Sequence, residues 1–218
     1  MRIVIAGGHG QIALRLERLL AARGNEVAGI IRKAEQGDDL RTAGAEPVVL
    51  DLESASVEEV AQSLRGADAA VFAAGAGPGS GVQRKDSVDK GAAVLFADAA
   101  VRAGVRRFLV VSSMGADAEH RGDEVFDVYL RAKGEADAYV RGLDSLDWTI
   151  LRPGALTDDD GTGLVRLEAR TGRGPVPRQD VAAVLAELLD SPATSGLTLE
   201  LIGGSTPVSV AVKAVAGN

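Results

Sequence analysis

Tyr129 and Lys133 lie four residues apart in a stretch with helical spacing, which sets both side chains on one face of a helix. A phenol ordinarily keeps its proton until about pH 10, and an ammonium one turn away favours its ionised form. Such a pair can give and take a proton near neutrality. The plainer alternative is an exposed helix pair worth at most about 0.5 kcal/mol. Tyr139, the other of the two tyrosines, has no lysine four residues on.

A second set stands at the start of the chain, where Gly7, Gly8 and Gly10 separate an apolar run from a helical-looking stretch. Two spacings can be read, Gly7-x-x-Gly10-x-x-Ala13 and Gly8-x-Gly10-x-x-Ala13. One glycine permits the tight turn, another lets backbone N–H groups approach a pyrophosphate, and a small residue at Ala13 lets helix pack on strand. The helix N-terminus then offers free amides and a partial positive charge to the anion. A glycine-rich corner without a ligand is the alternative; placement after the first strand of a βαβ unit favours the nucleotide. His9 lies in this loop as a bystander rather than a catalyst. At the end of the second apolar run stands Ile31-Arg32-Lys33, where NAD-binding chains usually place an acidic residue for the ribose 2′-hydroxyl. Two cations and no carboxylate fit a 2′-phosphate, which Arg32 can grip through its guanidinium fork. An exposed basic turn is the alternative; NADP is the expected cofactor over NAD.

These residues need elements to carry them. Short β-rich runs recur at Arg2–Ala6, Val27–Ile31, Pro47–Leu50, Ala69–Ala73, Phe108–Val111, Trp148–Leu151 and Leu197–Ile202. Near-continuous apolar runs suit strands covered on both faces. Between them, apolar residues recur three and four apart, as in Ile12/Leu16/Leu19/Leu20 and Val57/Val60/Ala61/Leu64. Strand and helix in alternation predict a doubly wound parallel sheet of the Rossmann kind, read as one domain over residues 1–218. Three stretches break the rhythm. Gly75–Ser87 reads as a glycine-rich loop, Met114–Glu124 as a polar loop, and Gly154–Arg178 as a long polar excursion on the substrate side. All follow strands, so they start at the carboxyl edge where open α/β sheets bind ligands.

Bulk properties narrow the classes. The net charge of -7 argues against a general nucleic-acid binder. The absence of cysteine removes disulfides, thiolate nucleophiles and cysteine metal sites, and two histidines leave little for a histidine cluster. The adjacent Asp158, Asp159 and Asp160 read as a solvated turn, because three neighbouring carboxylates do not easily face one ion, and no metal is expected. No apolar run reaches the ~20 residues of a membrane helix, and the start reads as a strand rather than a signal peptide. A soluble, cytoplasmic protein is expected, without membrane or nucleic-acid partners, as a monomer or homodimer.

The segments AGGHGQIA, Val49-Leu50-Asp51-Leu52, VVSSMGA (110–116), Tyr129-x-x-x-Lys133 and Leu151-Arg152-Pro153-Gly154 follow one another along the chain. In that order they resemble the short-chain dehydrogenase/reductase superfamily, and within it the compact atypical NAD(P)H-binding branch. The resemblance spans nearly the whole chain, through Asp180 to Leu201-Ile202-Gly203-Gly204. It implies that Tyr129 is the proton donor and that Lys133 also holds the nicotinamide ribose. It implies that Ser113 hydrogen-bonds the substrate carbonyl, while Ser112, deeper in the strand, belongs with the cofactor residues. Gly7, Gly8, His9, Gly10, Gln11 and Ile12 would form the phosphate side, with Arg32 and Lys33 beyond them. Asp51 and Leu52 would border the adenine, Asp51 accepting from its amino group; capping the next helix is the alternative for Asp51. Ala73, Ala74 and Gly75 would leave room over the fourth strand, and Pro153 and Gly154 would border the nicotinamide.

Little chain follows Arg152 in a sequence of 218 residues, which disfavours a sugar-nucleotide substrate domain. An aromatic content of 3% offers few platforms for a flavin. The expected function is an NADP(H)-dependent reductase of a small carbonyl or quinone-like substrate. A non-catalytic NADP(H) redox sensor and an NAD(P)-dependent epimerase or dehydratase are the alternatives.

Overall fold

The computed structural model describes residues 1–77 and 79–217. Strands and helices alternate as β1 (Arg2–Ala6), α1 (Gln11–Ala22), β2 (Glu26–Ile31), α2 (Gly37–Thr42), β3 (Glu46–Val49), α3 (Val57–Leu64) and β4 (Ala69–Phe72). A continuous helical segment follows: α4 (Val82–Arg84), a π-helical stretch (Lys85–Ala92) and α5 (Ala93–Ala103). Then come β5 (Arg107–Val111), α6 (Val125–Arg141), β6 (Asp147–Pro153), β7 (Ala155–Thr157), β8 (Leu164–Glu168), β9 (Pro175–Pro177) and α7 (Arg178–Leu189). The chain closes with β10 (Leu197–Gly203), β11 (Thr206–Pro207) and α8 (Val208–Ala216).

The main sheet runs β3-β2-β1-β4-β5-β6-β10-β8-β11. It is parallel from β3 to β10, and β8 and β11 join antiparallel. β1 sends Ile3 and Ile5 to one face and Val4 and Ala6 to the other, the period of two that a doubly covered strand requires. On the first face these pack with Leu16 and Leu20 of α1 and Val184 and Leu185 of α7. On the second they pack with Val60, Leu64 and Phe96, and Phe96 lies between Phe72 and Phe108 at centroid distances of 6.1 and 5.7 Å. Strand order reverses between β1 and β4, the switch point where such sheets bind ligands. Among the described residues no helix is long and apolar enough to cross a membrane.

Two expectations are corrected. The loop read over Gly75–Ser87 ends at Gly81, because helix begins at Val82. The polar run Gln83–Ser87 hides the helix, and the π-helical turns shift its apolar side chains off the ordinary 3.6-residue period. The Gly154–Arg178 excursion contains three strands. In β8 only Val165 and Leu167 are buried while Leu164, Arg166 and Glu168 face outward, so its alternating pattern is too short and half-polar to stand out. The doubly wound, Rossmann-like parallel sheet expected from the sequence is present, and β8 and β11 extend it antiparallel.

Candidate cofactor and catalytic site

The glycine corner is first a steric solution. Gly7 takes φ +78°, and a Cβ there would stand 2.6 Å from the Ala74 Cα. At Gly8 a Cβ would stand 2.8 Å from the Gly29 Cα of β2, so the turn runs flush against both neighbouring strands. Ala13 is fully buried where α1 meets the sheet. Gly10, the residue before α1, supplies no side-chain cap, and no acidic residue lies in the first turn. The amides of that turn are thus left for an anion, and the corner fits a pyrophosphate. A Gly7→Ala variant is expected to lose about 1–3 kcal/mol of stability, measured by chemical denaturation, from left-handed strain and overlap with Ala74.

From this corner a cleft of about 260 Å³ runs along the carboxyl edge, lined by Gly7, His9, Gly10, Arg32, Asp51, Leu52, Glu53 and Ala73–Ala76, with Arg84 and Val88 opposite. His9 is held by Asp39 at 2.7 Å and Gln36 at 3.2 Å, so its ring is part of the wall. Gln11 lies exposed at the start of α1, its backbone carbonyl accepting from Arg15, and Ile12 turns into the core. Asp51 accepts the Glu53 backbone N–H at 3.0 Å, a local turn rather than a cap on α3, whose cap is Ser56. The reading of Arg32 and Lys33 as two cations without a carboxylate is corrected by the fold. Glu53, brought in after β3, accepts from Arg32 at 3.4 Å and Arg84 at 2.8 Å, and from Ser87 Oγ at 2.8 Å. Burial works against its charge, but the Ser87 and Arg84 hydrogen bonds and both arginine charges outweigh it and hold the carboxyl below its ordinary value. Lys33 turns away to Glu35 at 3.3 Å.

At the other end, α6 carries Tyr129 and Lys133. Lys133 is buried beneath the strand ends, donating to the carbonyls of Ala74 at 3.4 Å and Val111 at 3.3 Å. Asp89 of the π-helical stretch forms an ion pair with it at 3.2 Å and also accepts the Ala76 N–H at 3.3 Å. Lys133 is thus fastened under the Ala73–Gly75 floor. The cation set against the Tyr129 ring is instead Lys85, 5.1 Å from the centroid and tied to the Gly77 carbonyl at 3.0 Å. Phe126 stacks on the same ring at 5.9 Å. Ser113 donates to the Met114 carbonyl at 3.3 Å, and no hydrogen bond joins it to Tyr129 or Lys133 among the described residues. Ser112 is buried and donates to Asp137 at 2.9 Å. Asp137 also accepts two hydrogen bonds from Arg152, at 2.9 and 2.7 Å. Its burial raises the carboxyl, although the charges and hydrogen bonds of Arg152, Ser112 and Lys133 oppose this. Pro153 accepts the Met114 N–H at 3.0 Å, and Gly154 packs so closely on the Gly174 carbonyl that a Cβ would collide with it. Asp158 pairs with Arg178 at 2.8 Å on the surface.

Glu53, Arg84, Lys85, Asp89 and Asp137 were not singled out from the sequence. Each acquires its place through a partner tens of residues away. Only Glu53, two residues past Asp51 at a strand end, carried a local signal.

A Rossmann-type sheet with an uncapped glycine corner at its switch point defines a dinucleotide-binding protein. The chain belongs to the NAD(P)H-binding family, whose pattern it matches over residues 7–192. It is 36% identical over 214 residues to the uncharacterized sugar epimerase YhfK of Bacillus subtilis, covering 98% of this chain and 99% of that one. A solved Bacillus halodurans structure, described as an NAD-dependent epimerase/dehydratase, shares 36% identity with TM-score 0.90 over all of both chains. The anaerobilin reductase ChuY of Escherichia coli O157:H7 shares 27% identity with TM-score 0.78, covering 93% of this chain and 97% of that one. The family and these likenesses support an oxidoreductase-type nicotinamide protein of the atypical short-chain dehydrogenase/reductase branch.

Proposed function

We propose that the chain is an NADPH-dependent reductase of a small carbonyl or quinone-like substrate. The observation that carries this reading is an uncapped glycine corner opening on a cleft with Arg32 and Arg84 in its lining, and Tyr129 of α6 set against Lys85 of the helical segment that walls it. Bound NADPH would supply the hydride. Gly7, Gly8 and Gly10 with the first turn of α1 would hold the pyrophosphate, and Arg32 the 2′-phosphate. Ala73, Ala74 and Gly75, a floor of small residues, would support the nicotinamide half, with Pro153 and Gly154 at its border. Lys133 keeps that floor in place from below, its ammonium taken up by Asp89 and the Ala74 and Val111 carbonyls. Tyr129 gives the proton to the substrate oxygen as it gains negative charge, and the Ser113 hydroxyl hydrogen-bonds the same oxygen.

An epimerase reading is favoured by the full-length likeness to a protein named a sugar epimerase. The two differ in balance: an epimerase returns the hydride to its own substrate, while a reductase consumes NADPH. The test is NADPH oxidation by purified protein against a panel of carbonyls and quinones. The expected result is stoichiometric oxidation with at least one of them. No oxidation above the rate without protein, for any member, would refute the reductase. Titration tests the cofactor separately. Arg32→Ala is expected to weaken NADPH about ten- to a hundredfold and leave NADH unchanged. A preference for NADH that Arg32→Ala leaves intact overturns the assignment.

A further inference from the structure

We propose that Glu53 is a resident counter-ion seated where the 2′-phosphate of NADPH binds, and that Arg84 is the second cation of that seat. The inference rests on the NADPH reading above and adds two residues to it. Three donors converge on one carboxylate from both walls of the cleft: Arg32 at the end of β2, and Arg84 and Ser87 on the helical segment after β4. A carboxylate presents two oxygens to them. A phosphate monoester presents three and carries about −1.5 to −2 charges, so the same donors are better filled by it.

The charges of the site agree. Two guanidiniums face the Glu53 carboxylate at the mouth of the cleft, with Lys33 diverted to Glu35 and Asp51 the other carboxylate of the lining. A ribose hydroxyl does not call for two converging guanidiniums; a phosphate does. The seat is also easily vacated. The Arg32 and Arg84 side chains are 45% and 39% exposed, so their pairs with Glu53 are screened by water and contribute little to stability. The Arg32 contact, at 3.4 Å, is the looser of the two. Glu53 therefore competes with the incoming phosphate for both arginines, and the chain binds NADPH less tightly than its cations alone would allow.

The sign of this effect separates it from an ordinary binding role. In the intact protein, Glu53→Gln is expected to tighten NADPH about two- to fivefold, because a competitor of surface-pair strength is removed. Arg84→Ala is expected to weaken NADPH about tenfold or more. NADH affinity should stay constant in both. Titration with 2′-AMP and 5′-AMP as probes reads the same seat without the nicotinamide. 2′-AMP should follow NADPH across the variants and 5′-AMP should follow NADH. Glu53→Gln that binds NADPH no more tightly than the parent overturns the counter-ion role. Arg84→Ala that binds NADPH as the parent does, while Arg32→Ala weakens it, overturns the second cation. A parent that prefers NADH, with Arg32→Ala silent, brings down the NADPH reading itself and this seat with it.

Discussion

Replacing Glu17 with glutamine is expected to stabilise the protein at about pH 8.5 and to change little near pH 5. Glu17 lies on α1, is wholly buried, and neither carboxyl oxygen has a hydrogen-bond partner among the described residues. Its Oε1 is wedged under the glycine corner, 3.0 Å from where a Gly8 Cβ would stand and 2.6 Å from the same point at Gly29. Burial pushes the carboxyl up to about 8, although the neighbouring Arg18 charge pulls it down. Between the ordinary value of 4.5 and about 8, the native chain keeps a proton that the unfolded chain has released. The native state binds more protons, so stability falls as pH rises through that window and is unaffected below it. At 1.36 kcal/mol per unit the ceiling on the loss is about 5 kcal/mol. Even ~2 kcal/mol would move the melting midpoint by about 4–8 °C in a chain of this size. Glutamine keeps the shape and cannot ionise. Melting curves of both proteins across pH check the point: the gap must widen from pH ~5 to ~8.5. Parallel curves would mean that the carboxyl finds solvent or a partner in solution.

Glu17 also illustrates what was legible beforehand. The glycine corner, the order of the first strands and the placement of Tyr129 and Lys133 on one helix depend on neighbours within a few residues, and sequence periodicity reports such neighbours directly. The charge partners do not work this way. Arg32 looks free of carboxylates in the sequence because Glu53 arrives from the next βα unit, and Lys133 looks like Tyr129's own cation because Asp89 lies on another helix. Asp137, facing into α6's buried side, meets Arg152 only after β6 has been laid beside β5. Parallel crossovers bring together side chains that are remote in sequence, and periodicity has no term for them. The half-covered β8 fails for a different reason: with one face in solvent, it has two buried residues to signal with.

These remote partners fix the frame of the site. Ser112 is anchored by its N–H on the Leu151 carbonyl at 2.8 Å and by its hydroxyl on Asp137, itself locked to Arg152. The chain therefore leaves β5 in one direction, with Ser113 as the first hydroxyl beyond the anchor. Lys133 is held likewise from below by Asp89 and two carbonyls. Removing either anchor would leave a buried charge without its partner, so substitutions there report on folding as much as on chemistry.

Tyr129→Phe avoids that confusion and carries the largest expected effect on turnover. Phenylalanine keeps the ring, and with it the Phe126 stack at 5.9 Å and the Lys85 contact at 5.1 Å; only the oxygen goes. The contacts of Tyr129 among the described residues are made by its ring, so loss of the oxygen orphans no group and the fold should be indifferent. On the proposed chemistry the substrate oxygen then gains its negative charge with no acid beside it, and kcat should fall about 10²- to 10⁴-fold. NADPH affinity should stay within about twofold, since the ring lies beyond the cleft residues that would hold the nucleotide. The pairing of a large loss in kcat with an unmoved NADPH affinity is what a proton donor predicts. Equal losses in both would make Tyr129 a wall of the cofactor site. A fall of less than about tenfold in kcat would pass the proton to another group, and Ser113, whose hydroxyl bonds only its neighbour's carbonyl among the described residues, is the hydroxyl left to supply it.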